Sequence, residues 1–230
     1  MRLSAIATPT PELLDSTIDS WLMDIIYPFG RNLLMPLYFG HLEITGKENV
    51  PKTGPVIVAP THRSRWDAVV VSLATGRQVS GRDLRFMVTS SEVTGIQGWF
   101  IRHLGGFPID IQRPEVSSLT YSVALLKQGE MLVIFPEGGI FRDRQVHRLK
   151  RGVARIALDV LKQNPHSDIK ILPVSLRYSQ PYPTWGTDIQ VDIGQPITVA
   201  NYDTEKIRTS SEALTNELQN RLKKLHETSA

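Results

Sequence analysis

The stretch Pro55-Val56-Ile57-Val58-Ala59-Pro60-Thr61-His62-Arg63-Ser64-Arg65-Trp66-Asp67-Ala68-Val69-Val70-Val71-Ser72-Leu73 decides the fold. Val56 to Ala59 is an unbroken apolar run closed by Pro60, the pattern of a strand covered on both faces. Asp67 opens a second apolar segment with an acid in its first turn, which marks a helix start. His62 and Asp67 stand five positions apart. On a regular helix five residues turn through about 500°, leaving the two side chains about 140° apart. They meet only if His62 lies on the loop and Asp67 in the first helical turn. A histidine so placed takes a proton from a hydroxyl near neutral pH, and the carboxylate fixes its tautomer.

A second strand and turn follow in Met131-Leu132-Val133-Ile134-Phe135-Pro136-Glu137-Gly138-Gly139. Open α/β sheets bind ligands beyond the carboxyl ends of their strands, which puts Glu137 where a substrate group would meet it. The competing reading is plain turn chemistry, with Glu137 capping a helix. From Leu42 onward strands and helices alternate. Strands are expected at 42–45, 55–60, 84–89, 131–135, 169–176 and 188–193, and helices at 67–75, 92–103, 115–128, 151–163 and 204–227. The fold class is therefore α/β: a mixed, largely parallel sheet covered by helices, occupying residues 42–230. Residues 1–41 form a separate N-terminal segment. Its positions 12–40 are rich in large apolar and aromatic groups and are broken near Pro28-Phe29-Gly30. They are expected to fold as an amphipathic helical hairpin lying in a membrane interface.

The 230 residues are 41 % hydrophobic, enough for one sizeable core. A formal net charge of +3 is too mild to imply nucleic acid, and no zinc-finger or RNP-type signature is present. Arg142, Arg144, His147, Arg148, Lys150, Arg151 and Arg155 nevertheless crowd one segment. Such a cluster suits an anionic lipid, a phosphate-bearing cofactor or an acidic carrier protein, or simply a solvated face. The chain has no cysteine, hence no thiolate nucleophile or thiolate metal site. The remaining histidines, His41, His103, His147, His166 and His226, lack metal-ligand spacing, so no metal is expected. Charges and prolines interrupt the most apolar stretch, Trp21 to Tyr38, and no secretory signal is seen, so a peripheral place on the cytoplasmic face of a membrane is expected.

His62-x4-Asp67 followed by Phe135-Pro136-Glu137-Gly138 resembles the glycerolipid acyltransferase family, whose best-known members are the 1-acylglycerol-3-phosphate acyltransferases. Gly105-Gly106-Phe107-Pro108-Ile109-Asp110, Lys150-Arg151-Gly152 and Leu172-Pro173-Val174 are similar to further blocks of that family, in its order. The resemblance implies transfer of a fatty acyl group from a thioester of coenzyme A or acyl carrier protein to a glycerolipid hydroxyl, with no cofactor besides that co-substrate. It makes His62 the general base and Asp67 its orienting partner. Glu137, Gly138, Ser64, Arg65, Arg113, Arg142 and Lys150 become candidates for binding the substrate. Main-chain N–H groups near a helix start would hold the oxyanion.

The chain departs from the family pattern at three cations expected near an acceptor phosphate. Ile111 follows Asp110, Gly139-Ile140-Phe141 follows Gly138, and Ser90-Ser91 precede Glu92. Arg113 and Arg142 each lie two residues beyond an expected arginine. The family's acceptor implies a product of phosphatidic acid. The departures leave open another lysolipid, an alcohol without phosphate, or a non-catalytic lipid-binding protein of the same fold. A serine hydrolase is disfavoured, since Gly-x-Ser-x-Gly does not occur.

Overall fold

The computed structural model describes residues 16–109 and 116–227. Among the described residues eight strands form one sheet: β1 (Leu42–Thr45), β2 (Val56–Pro60), β3 (Leu84–Thr89), β4 (Gly106–Ile109), β5 (Met131–Val133), β6 (Lys170–Tyr178), β7 (Ile189–Ile193) and β8 (Ile197–Thr198). The order across the sheet is β1-β7-β6-β2-β5-β3-β4, with β8 beside β6. The pairings of β2 with β5 and β6, of β3 with β4 and β5, and of β1 with β7 are parallel. Only β7 and β8 run antiparallel to β6. The sheet is thus mixed and largely parallel, as the alternating pattern predicts. The short strands β4 and β8 are additions.

Alternation along the apolar runs divides the core in two. Val56, Val58, Met131 and Val133 pack on one face, with Val70 and Val71 of helix α3 (Asp67–Thr75). Ile57, Ala59 and Leu132 pack on the other, against α6 (Val116–Lys127), α7 (Gly152–Gln163) and α8 (Ile207–Glu227). All seven of those strand residues are fully enclosed. In α8 the enclosed apolar residues are Leu214, Leu218 and Leu222, and one turn later the same row ends in His226. Two further short helices are α4 (Arg77–Ser80) and α5 (Gly95–His103).

The N-terminal segment differs from expectation. Helix α1 (Ser20–Phe29) passes through a π-helical turn (Gly30–Leu34) directly into α2 (Met35–Tyr38). There is no hairpin. Gly30, at φ −58° and ψ −50°, stays helical, Pro28 lies inside α1, and the chain does not reverse. Met23, Tyr27, Met35 and Phe39 bury against the α3 face of the sheet. Trp21, Ile25, Phe29, Leu33 and Leu37 remain 52–60 % exposed. Each α-helical i+4 step overshoots one turn by about 40°. The π turn corrects that drift in mid-segment and keeps these five residues near one line. Backbone bonds from Thr17 and Asp19 to the carbonyls of Arg102 and His103 (3.0 and 3.1 Å) tie the start of α1 to the end of α5. There Ile96, Trp99 and Phe100 are also exposed. Residues 1–15 lie outside the described residues.

Ile57 occupies the middle of the sheet with no exposure. We expect Ile57→Ala to lower unfolding free energy by about 2–5 kcal/mol in urea melts. The exposed Glu48→Ala is expected to stay within about 0.5 kcal/mol of the parent.

Candidate active site

Strands β2, β5 and β6 lie side by side and parallel, so their carboxyl ends open on one edge of the sheet. The chain leaves β2 at Pro60 and presents His62 on a loop; Asp67 is the first residue of α3. The two side chains meet as the spacing requires, with His62 Nδ1 2.8 Å from Asp67 Oδ2. Asp67 is fully buried. Its Oδ2 also accepts the N–H groups of Arg63 (2.5 Å) and Ser64 (2.9 Å), and its Oδ1 accepts the Tyr178 hydroxyl (2.7 Å). Burial, and then the negative charge of Asp67, push the Tyr178 phenol far above its ordinary pKa, so it remains a neutral donor. With three donors already on the carboxylate, His62 Nδ1 supplies the fourth proton and Nε2 keeps the lone pair. The imidazole lies flat on Phe135, with centroids 4.0 Å apart and planes at 22°. Its side chain is 21 % exposed and therefore reachable.

Glu137 follows β5 and arrives beside His62. Its side chain is closed to solvent. Oε2 accepts the His62 N–H (2.9 Å) and Arg63 Nη1 (2.8 Å); Oε1 accepts the His147 N–H (3.0 Å) and Arg63 Nη2 (3.3 Å). The carboxylate is occupied as the counter-ion of a buried arginine. Gly138 has φ +70°, and a Cβ there would stand 2.6–2.9 Å from the Lys150 side chain. The glycine therefore allows both the turn and the passage of Lys150 across it. The Lys150 N–H donates to the Pro136 carbonyl at 2.8 Å and pins the two segments together.

The other candidates are more scattered. Ser64 is buried, and its Oγ accepts the Trp66 N–H at 3.3 Å. Arg65 is 76 % exposed and pairs with Glu92 at 2.7 Å. The Arg142 guanidinium stacks 4.5 Å above the Tyr182 ring. Arg113 lies outside the described residues, as does position 115, where the expected helix 115–128 begins. The main-chain N–H groups of His62, Arg63 and Ser64 all end on carboxylates, so the oxyanion donors expected near the helix start are not these.

Two residues of the site have roles that the sequence reading did not assign. Arg63 turns inward and is almost fully buried. Besides Glu137 it binds the carbonyls of His62 (3.0 Å) and Gln145 (2.9 Å), and its Nε–H donates to His226 Nε2 at 3.2 Å. His226 Nδ1 in turn meets Ser175 Oγ at 2.9 Å. Burial, then the positive charges of Arg63 and Arg177, lower the pKa of His226 to about 3, with Asp143 opposing weakly. The four-residue spacing 214-218-222-226 was the available signal, since it continues the buried row of α8 into the histidine. A cleft of about 810 Å³ lined by Arg63, Tyr178 and His226, with Arg142, Arg144 and Lys223 also on its wall, lies behind the couple. His62 does not line it, so it is not assigned to the reacting groups.

The family model described as Acyltransferase matches residues 41–177, a segment that contains the His62–Asp67 couple and Glu137 but ends before α8. A 1-acyl-sn-glycerol-3-phosphate acyltransferase of Streptococcus pneumoniae is 28 % identical over 215 residues, covering 88 % of this chain and 74 % of that protein. One from Bacillus subtilis is 30 % identical over 135 residues, covering 57 % of this chain and 65 % of that protein. In fold the chain is similar to the crystal structure of the 1-acyl-sn-glycerophosphate (LPA) acyltransferase PlsC from Thermotoga maritima. The TM-score is 0.63 at 23 % identity, over 89 % of this chain and 80 % of the other.

Because His226 is held neutral in the fold, the unfolded chain binds a proton that the native chain refuses as pH falls below about 6.5. The stability contribution is complete above that pH and is lost progressively toward pH 3. Arg63, Arg177 and Asp143 are the charged groups facing the ring. Urea melts across pH 7 to 4 should show a steeper decline in the parent than in His226→Gln. The difference in slope is expected to reach about 1 kcal/mol per pH unit.

Proposed function

The chain belongs to the acyltransferase family, and on that premise we propose that it moves a fatty acyl group from an acyl thioester to the free hydroxyl of a 1-acylglycerol-3-phosphate, giving phosphatidic acid. One observation carries the reading: His62 is locked through Nδ1 onto buried Asp67, while Nε2 keeps its lone pair on a reachable ring. Nε2 takes the proton of the acceptor hydroxyl as that oxygen attacks the thioester carbonyl. The tetrahedral intermediate then collapses with expulsion of the thiolate, which recovers a proton from the imidazolium. Asp67 orients the ring and balances its transient positive charge. A thiolate leaves readily, so an acyl-enzyme is unnecessary. The donor is a thioester of coenzyme A or of acyl carrier protein; both present the same carbonyl to His62.

Lys150 is proposed to meet the acceptor phosphate, because its side chain crosses Gly138 next to the Glu137 turn. Arg142 is a further cation at the site's edge, provided that it leaves Tyr182. Glu137 acts indirectly, by holding the main chain of His62.

Among the described residues no helix is long and apolar enough to cross a membrane. We propose a peripheral attachment at the cytoplasmic face, through the row Trp21, Ile25, Phe29, Leu33 and Leu37. Such a row suits insertion into the headgroup boundary.

Two tests follow. His62→Ala is expected to lower transfer from acyl-CoA to lysophosphatidate by about 10²–10⁴-fold with an unchanged circular dichroism spectrum. A covalent acyl-serine in the parent, seen by mass spectrometry, would refute direct attack. In flotation with vesicles of mixed neutral and anionic phospholipid, the triple variant Trp21→Ser, Phe29→Ser, Leu33→Ser is expected to remain largely in the bottom fraction. Flotation equal to the parent's would remove the interfacial role of this row.

A further inference from the structure

Arg63 uses every donor it has. Nη1 reaches the His62 carbonyl and Glu137 Oε2, Nη2 reaches Glu137 Oε1 and the Gln145 carbonyl, and Nε reaches His226. A guanidinium has five N–H groups in a rigid plane, so fixing the Nε edge helps fix the fork. The fork touches the peptide of His62 twice: directly on the carbonyl at 3.0 Å, and through Glu137, whose Oε2 accepts the His62 N–H at 2.9 Å. His226 thus stands one residue removed from the base, although it lies 164 positions further along the chain.

We propose that His226, in the last turn of α8, is a positioning residue for acyl transfer, holding the Arg63 plane that fixes the His62 backbone. The proposal rests on the acyltransferase reading for its kinetic consequences but not for its geometry. Two facts make the imidazole more than filler. First, Nε2 must be an acceptor, because the group facing it is an N–H of a permanently charged side chain. Nδ1 therefore carries the proton and donates it to Ser175 Oγ. Second, Arg63 and His226 are each only 4 % exposed although both border the cleft, so an apolar side chain at 226 leaves the Arg63 Nε–H buried without a protein partner. Arg63 then re-seats to satisfy that donor, and the His62 peptide moves with it. His226 bonds to Arg63 and Ser175 and to neither His62 nor Asp67, so its loss is expected to act through the base, on kcat rather than on KM.

The test compares His226→Leu, His226→Gln and Leu222→Ala in the full chain. Leu222 is one turn earlier on α8, fully buried and apolar, and so reports a purely structural injury to the same helix. Turnover of a long-chain acyl-CoA with lysophosphatidate is measured at a temperature where circular dichroism shows every variant folded. Amide hydrogen exchange at His62 and His147 is followed by NMR. We expect His226→Leu to lower kcat about tenfold or more, with KM within about twofold, and to speed exchange at both amides. His226→Gln, whose side-chain carbonyl reaches the place of Nε2, should retain most of kcat and of the protection. Leu222→Ala should melt earlier but keep its kcat.

The proposal is overturned if His226→Leu keeps parental kcat and exchange, if the glutamine is as damaging as the leucine, or if Leu222→Ala reproduces the kcat loss. Should the parent transfer no acyl group to any acceptor, the functional reading fails. The exchange of the His62 amide then decides the clamp by itself, with faster exchange in His226→Leu than in His226→Gln supporting it and equal exchange refuting it.

Discussion

The Arg63–Glu137 ion pair is the constraint on which the site depends. Both side chains are almost closed to solvent, and the bond between them is 2.8 Å long. Removing two charges from water costs several kcal/mol per ion, and their attraction offsets this only with good geometry and full hydrogen bonding. Here that bonding is complete. Glu137 receives four donors and Arg63 gives five. Such a pair is poor evidence of stability, since a well-packed apolar substitute often serves as well. Its value lies in direction. Two of its bonds end on the peptide of His62, and that peptide sets where the imidazole points.

The sheet makes the pair possible. β2 and β5 are adjacent and parallel, so the loop after Pro60 and the turn after Phe135 leave the same edge together. β6 lies on the other side of β2, bringing Tyr178 to the free oxygen of Asp67 and Ser175 to His226. Three neighbouring strands therefore supply the loop with the base, the turn with the carboxylate and the hydroxyls that complete the network. An antiparallel pairing of β2 and β5 would have placed the histidine and the glutamate at opposite ends of the sheet.

What the sequence disclosed follows from this arrangement. Val56–Ala59 and Met131–Val133 are apolar at every position, and that shows directly that both faces are covered. His62 and Asp67 were legible because their five-residue spacing has one geometric solution, a loop residue meeting a first-turn residue. The role of Glu137 was not legible. Nothing local distinguishes an arginine that turns inward from Arg65, two positions later, which points to solvent and pairs with Glu92. Pro28 and Gly30 suggested a break, since the sequence gives no sign that a π turn carries the helix past them. Arg142 stacks on Tyr182, forty residues away, and a contact across two loops has no periodic signature.

The two faces of the sheet also differ in surface character. Helices α1 and α2 pack on the α3 face and expose large apolar side chains. Helices α7 and α8 cover the other face, where Arg151 and Arg155 reach solvent and pair with Glu212 and Asp159. The His62–Asp67 couple lies at the edge where the two meet. The proposed acceptor, with an apolar tail and a charged head, would match this division: the exposed apolar row on the α1 side, and Lys150, which precedes α7, on the other. An enzyme that met its lipid from the α7 side would have to carry these ion-paired carboxylates and guanidinium groups into the headgroup layer. The α1 side carries mainly Trp, Ile, Phe and Leu toward it, at a much lower desolvation cost. The proposed interfacial attachment and the proposed headgroup contact would thus be compatible on one edge of the sheet, because the apolar and cationic elements lie on opposite sides of it.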